Sequence, residues 1–133
     1  MQLLESGEMY LETILILSQQ KGTVRSIDVC DHMGYSKPSV SRAVGILRRG
    51  GYLNMDPQGA LTLTESGYQI ATKILERHRI LTKALILLGV SEEIATEDAC
   101  RIEHHISDET IAMIQKHLTD YGNRSDSART LLR

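Results

Sequence analysis

The chain of 133 residues is 41% apolar and 24% charged, with a formal net charge of −2; this is an ordinary globular balance that excludes disordered, collagenous and coiled-coil chains. Such a length fits one domain, or one small domain with an accessory element, and leaves little room for a large active-site cavity. No apolar run approaches the roughly 18 residues of a membrane span, and the opening MQLLESGEMY has neither a basic region nor a cleavage site, so a cytoplasmic protein without membrane contact is expected.

In chain order, Leu11, Ile14, Leu15 and Leu17 recur at helical spacing after Ser6, a candidate N-cap, and predict a helix over residues 7–20 that stops before Gly22. Ile27, Val29, Cys30 and Met33 form a short second helix from Ser26 to Gly34. Ser36 then caps a third, with Pro38 in its first turn and Val40, Val44 and Leu47 on its apolar face up to Gly50 and Gly51. Two helices joined by a short glycine-containing turn form the helix-turn-helix pattern. Beyond it, Tyr52–Met55 and Ala60–Leu63 flank Asp56-Pro57-Gln58-Gly59, two strands about a turn. A hairpin directly after a helix-turn-helix predicts a winged helix.

From Thr64 the apolar positions Ile70, Ile74, Leu75, Leu81, Leu85, Leu87 and Leu88 continue to Gly89, a helix too long to serve the winged helix alone. Ser91 with Glu92 and Glu93 starts a further helix, the stretch from Asp98 to Ile106 continues or restarts it, and Ser107-Asp108-Glu109 caps a last one through Leu118. The expected class is therefore mainly α, a winged helix-turn-helix followed by a helical dimerisation module. Its expected division is a DNA-binding domain over 1–63, a linking helix over 64–89, a metal-binding and dimerisation domain over 90–120, and a tail over 121–133 without assigned function.

Charge is distributed unevenly. Lys21, Arg25, Lys37, Arg42, Arg48 and Arg49 face only Asp28 and Asp31 within residues 21–55, whereas residues 91–110 hold seven acids and only Arg101. The first segment suits a polyanion and the second a cation. On the third helix, Lys37, Ser39, Ser41 and Arg42 occupy the end that enters a major groove, and Arg48 and Arg49 at its far end are placed for the backbone of double-stranded DNA, with the cap Ser36 and the preceding Arg25 as further candidate DNA contacts. A lone basic helix would read as a solvated face; the hairpin that follows tips the reading toward DNA.

Cys100, Glu103 and His104 are three and four positions apart, so on a helix they share one face. Thiolate, carboxylate and imidazole make three ligands for a divalent transition metal, and the remaining donors must come from other segments. Met9 and Glu12 share a face of the first helix, and His78 lies midway along the linking helix. Each has an ordinary alternative reading: Met9 as core filler, Cys100 as a small hydrophobe, His78 as a hydrogen-bonded interior histidine, Glu103 as a surface charge.

The segment Asp98-Ala99-Cys100-Arg101-Ile102-Glu103-His104, with Glu76-Arg77-His78-Arg79 before it and Glu8-Met9-Tyr10-Leu11-Glu12 near the start, resembles the DtxR/MntR family of metal-dependent transcriptional repressors from about Ser6 to Leu118. The resemblance implies a homodimer that binds a palindromic operator. In the iron-responsive branch a Met, Cys, Glu and His are the ligands, at positions held here by Met9, Cys100, Glu103 and His104. The manganese-responsive branch replaces that Met and Cys by Asp and Glu and adds a Glu and a His for a second ion, at positions held here by Glu12 and His78. Thr82 and Thr96 stand where iron-type relatives carry ancillary Glu and His ligands, and the SH3-like domain of longer relatives has no counterpart, so a short form is expected. Soft sulfur donors favour Fe²⁺ over Mn²⁺ and leave Co²⁺, Ni²⁺ and Zn²⁺ able to bind in vitro. Two rival readings are a metal-independent winged-helix regulator gated by a small molecule or by oxidation of Cys100, and a small metal-dependent hydrolase using Glu103 as base. The second lacks both HExxH and a substrate cleft, so no enzymatic activity is expected.

Overall fold

The computed structural model describes residues 3–131. Its elements run α1 (Glu5–Lys21), α2 (Ser26–Met33), α3 (Lys37–Arg49), β1 (Leu53–Met55), β2 (Leu61–Leu63), α4 (Glu65–Leu87), α5 (Glu92–Ile102) and α6 (Asp108–Leu131). They form two compact units, Met1–Leu75 and Glu76–Arg133, whose boundary falls within α4.

The first unit is the winged helix. Its core gathers Leu11 and Ile14 from α1, Val29 from α2, Val40, Val44 and Leu47 from α3, and Leu53 and Leu61 from the hairpin. Burying each such aliphatic side chain contributes about 1.5–3 kcal/mol. α1 begins earlier than its sequence signal: Leu4, not Ser6, is the N-cap, and no side chain caps it. The acids Glu5 and Glu8 in its first turn complement the positive end of the helix instead. α2 ends at Gly34, whose φ of 73° lies in the left-handed region and whose N–H bonds Cys30 O; a side chain there would be strained. α3 carries the predicted cap, Ser36 Oγ accepting from Ser39 N.

The hairpin is antiparallel, with Leu53 opposite Leu63 and Met55 opposite Leu61. Alternation turns Leu53 and Leu61 into the core and Asn54 and Thr62 outward. The turn is closed by Asp56, whose carboxylate accepts from Gln58 N at 2.9 Å and Ala60 N at 2.8 Å. Leu61 also pairs with Val24 through an isolated bridge, which ties the α1–α2 connection to the wing. Thr64 joins the wing to α4: its hydroxyl donates to Gly51 O at 2.7 Å and accepts from Gly67 N at 3.1 Å. Here the backbone passes so close that a Cβ on Gly67 would lie 2.1 Å from Tyr52 O.

In the second unit Ile80, Leu81, Ala95 and Ala99 are buried. Ser91 caps α5 by accepting from Ile94 N, and Ser107 accepts from Thr110 N in the first turn of α6. Two sequence expectations change. α5 ends at Ile102, because the chain tightens into a turn in which Ile102 O accepts from both His105 N and Ile106 N. The last helix does not stop near Leu118 but continues to Leu131, through most of the segment expected to be a tail.

Candidate metal centre and nucleic-acid interface

The ligand set predicted from sequence falls on both units. Met9 and Glu12 lie on α1 in the first, half-buried and buried respectively. His78 on α4, Cys100 on α5, and Glu103 and His104 at the α5–α6 turn lie in the second. Cys100, Glu103 and His104 are thus not on one continuous helix. Glu103 is the C-cap of α5; it keeps helical dihedrals, φ −56° and ψ −26°, and its N–H still bonds Ala99 O. His104 has passed into the turn.

The second unit brings three of these residues together. His78 Nδ1 lies 2.8 Å from Glu103 Oε2, and His104 Nε2 lies 3.4 Å from Glu103 Oε1. Glu103 has no solvent exposure, and its Oε1 accepts no hydrogen bond from the described residues. A buried carboxylate oxygen left in this state costs free energy unless a proton or cation meets it. Its 3.4 Å separation from the imidazole nitrogen is also what two ligands at about 2.1 Å from one ion would show, since the edges of such a coordination polyhedron run to about 3.0–3.4 Å. The donors present therefore fit a divalent metal. Neither cysteine forms a disulfide; Cys30 is buried and Cys100 half-buried.

Arg77, to which the sequence pattern assigns no site role, is buried beside this group. Its guanidinium donates to Glu103 O at 3.2 Å, to Ile106 O at 2.5 Å and to the Asp108 carboxylate. The available signal was its place in the stripe Ile74, Arg77, Leu81, a charge at helical spacing among apolar residues.

On the first unit, α3 buries Val40, Val44 and Leu47 and exposes Lys37, Ser39, Ser41, Arg42, Arg48 and Arg49. Ser36 and Ser39 are already engaged with each other at the helix start, their hydroxyls 2.9 Å apart. Arg25 Nε donates to Gln58 O at 3.2 Å, linking the start of α2 to the wing turn. Arg48 reaches the thioether of Met55 at 3.8 Å. Tyr10 packs its ring against Tyr35, just before the α3 cap, with centroids 6.1 Å apart. Burial, then the neighbouring Tyr35 and Cys30, push its phenol above the usual tyrosine range.

The segments that carry these two features, an exposed basic helix on a winged helix and a buried carboxylate–imidazole pair, lie within matches to two known sequence families. The sequence model for "Iron dependent repressor, N-terminal DNA binding domain" matches residues 2–61, and that for "Iron dependent repressor, metal binding and dimerisation domain" matches residues 64–124. The chain belongs to the iron dependent repressor family. It is thus a member of the DtxR/MntR group of metal-dependent transcriptional repressors, a family of regulators and not of enzymes. Among its relatives, "Transcriptional regulator MntR" of Escherichia coli O6:H1 is 38% identical over 112 residues, 81% of this chain and 72% of the relative. The structure of the manganese regulator SloR superposes with a TM-score of 0.76 at 27% identity, covering 85% of this chain and 53% of that one. A manganese-dependent transcriptional repressor in complex with manganese gives 0.74 at 28% identity, covering 85% and 52%. This repressor therefore spans about half the length of those solved chains. Among its described residues, no helix is long and apolar enough to cross a membrane.

Proposed function

We propose that this repressor is activated by a divalent transition metal held by Met9, Glu12, His78, Cys100, Glu103 and His104, and that it acts in the cytoplasm on genes of metal-ion homeostasis. The observation that carries the reading is the buried Glu103 carboxylate, with His78 on one oxygen and His104 beside the other, in a segment matched to a metal-binding domain. Met9 and Glu12 join the set on the strength of their donor types and the family resemblance. A bound cation would supply the positive charge that a buried carboxylate requires. Glu103 and the two imidazoles bind and orient; Cys100 and Met9 add soft sulfur.

In the proposed active form a homodimer binds a palindromic operator in double-stranded DNA. Lys37, Ser39, Ser41 and Arg42 read the major groove; Ser36 caps and orients the reading helix; Arg25, Arg48 and Arg49 contact phosphate. Half-sites would lie one turn of B-DNA apart, roughly 34 Å. An apolar groove of about 590 Å³ in the second unit, lined by Leu81, Leu85, Leu88, Met113 and Ile114 among others, supports self-association there. By linkage, operator DNA tightens metal binding by the same factor that metal tightens DNA binding.

For the ion we infer Fe²⁺, because a thioether and a thiolate are softer than the carboxylates they replace. Mn²⁺ is the second reading, favoured by relatives named as manganese regulators. Anaerobic titration of operator binding with each ion decides between them: activation at lower Fe²⁺ than Mn²⁺ is expected, and equal or tighter activation by Mn²⁺ overturns the iron assignment. Operator binding that persists after chelation overturns metal activation altogether.

A further inference from the structure

We propose that Arg77 is the positioning residue of the metal centre, its buried guanidinium holding the α5–α6 turn in the shape that presents Glu103 and His104 before any metal arrives. The inference rests on the metal-centre reading above and adds a residue to which that reading gives no role.

A guanidinium with little exposure is costly to bury unless its donors are met. Arg77 Nη1 and Nη2 find acceptors in one short stretch of chain, Glu103 O, Ile106 O and the carboxylate of Asp108, while Nε meets none among the described residues. Glu103 O is the carbonyl of the α5 C-cap, a group that the helix leaves without an internal partner and where its dipole favours a cation, and Ile106 O is a carbonyl of the turn that follows. The third stands in the first turn of α6. Arg77 thus spans the whole connection between the two helices and grips it on both sides of His104.

Its neighbour completes the arrangement. Successive residues on a helix point about 100° apart, so Arg77 takes the main chain of the turn while His78 takes the Glu103 side chain through Oε2. Main chain and side chain of one ligand are held by adjacent residues of α4. The guanidinium serves the two carbonyls from Nη1 and the carboxylate from Nη2, a spread of donors over two nitrogens that a lysine ammonium, a single point of charge, does not reproduce.

The test uses the full chain and Co²⁺ as the probe, whose visible and near-ultraviolet thiolate bands report ligand geometry. Arg77→Lys is expected to keep the far-ultraviolet circular dichroism of the parent while lowering Co²⁺ affinity about tenfold to a hundredfold, the usual cost of losing a group that orients a ligand. It should also alter the band pattern and speed amide exchange at His105 and Ile106 in metal-free protein. Asp108→Asn, which alters a side chain 73% exposed, should act in the same direction with a smaller loss, and decides the matter if lysine is not tolerated. Wild-type affinity and spectra in the folded variants would overturn the proposal. His104→Ala separates the two layers: if it too binds Co²⁺ as the wild type does, the metal-centre reading itself fails, whereas its loss of binding beside unchanged Arg77 and Asp108 variants sinks only the role of Arg77.

Discussion

His78 and Glu103, 25 positions apart in the chain, meet at 2.8 Å through Nδ1 and Oε2. One oxygen of a fully buried carboxylate is thereby held, while the other, Oε1, stays within 3.4 Å of His104 Nε2.

This pairing predicts the behaviour of a His78→Ala variant. With no partner for Oε2, the carboxylate can rotate away from His104, and Mn²⁺ affinity measured by electron paramagnetic resonance should fall roughly tenfold to a hundredfold. Far-ultraviolet circular dichroism should not change. Wild-type affinity in this variant would remove His78 from the centre.

Arg42→Ala addresses the other end of the mechanism. If Arg42 contacts phosphate or a base edge, operator binding weakens, and a phosphate contact also lowers the slope of log K against log salt by about one. Metal affinity of the free protein should be unaltered, since Arg42 is exposed on α3 in the winged-helix unit. A parallel loss of metal affinity would contradict that separation.

Acid sensitivity of the winged helix follows from Asp28. A hydrogen bond from Lys21 at 2.5 Å, then one from Arg25 N at 2.8 Å, hold its carboxyl below the usual aspartate range. A folded pKa below the unfolded one means stability that is complete above the unfolded value and lost as pH falls through the folded value. Asp28→Asn should therefore unfold at lower urea than the parent at pH 7, with the gap closing as pH drops below the ordinary range of an aspartate. A gap that widens in acid would contradict the assignment.

Gly67→Ala tests the joint between wing and linking helix. The added methyl would meet Tyr52 O at 2.1 Å, and since that atom belongs to the backbone, the hairpin or the start of α4 must shift. A loss of about 1–3 kcal/mol is expected from overpacking of this kind, read as a lower urea midpoint. A neutral result would mean that the start of α4 can move freely away from Tyr52.

Much of this protein was legible in its sequence because the signals are local. Ser36 with Pro38 starts α3 where a capping hydroxyl and a fixed φ must start it, Gly34 ends α2 where only a glycine fits easily, and the alternation of Leu53, Met55, Leu61 and Leu63 marks the hairpin. The donor types at Met9, Glu12, Cys100, Glu103 and His104 were equally visible, since chemistry needs no coordinates.

Tertiary structure alone decided how the donors are held. Helical spacing placed Cys100, Glu103 and His104 on one helix, but the turn closed by Ile102 O moves His104 off it. No periodicity links Arg77 with Ile106 or His78 with Glu103, because hydrogen bonds between distant segments depend on where whole helices pack. Spacing along the chain determines which residues share a helix face; which distant group meets a buried charge is set by burial, which leaves a polar atom stable only where a partner has been brought to it.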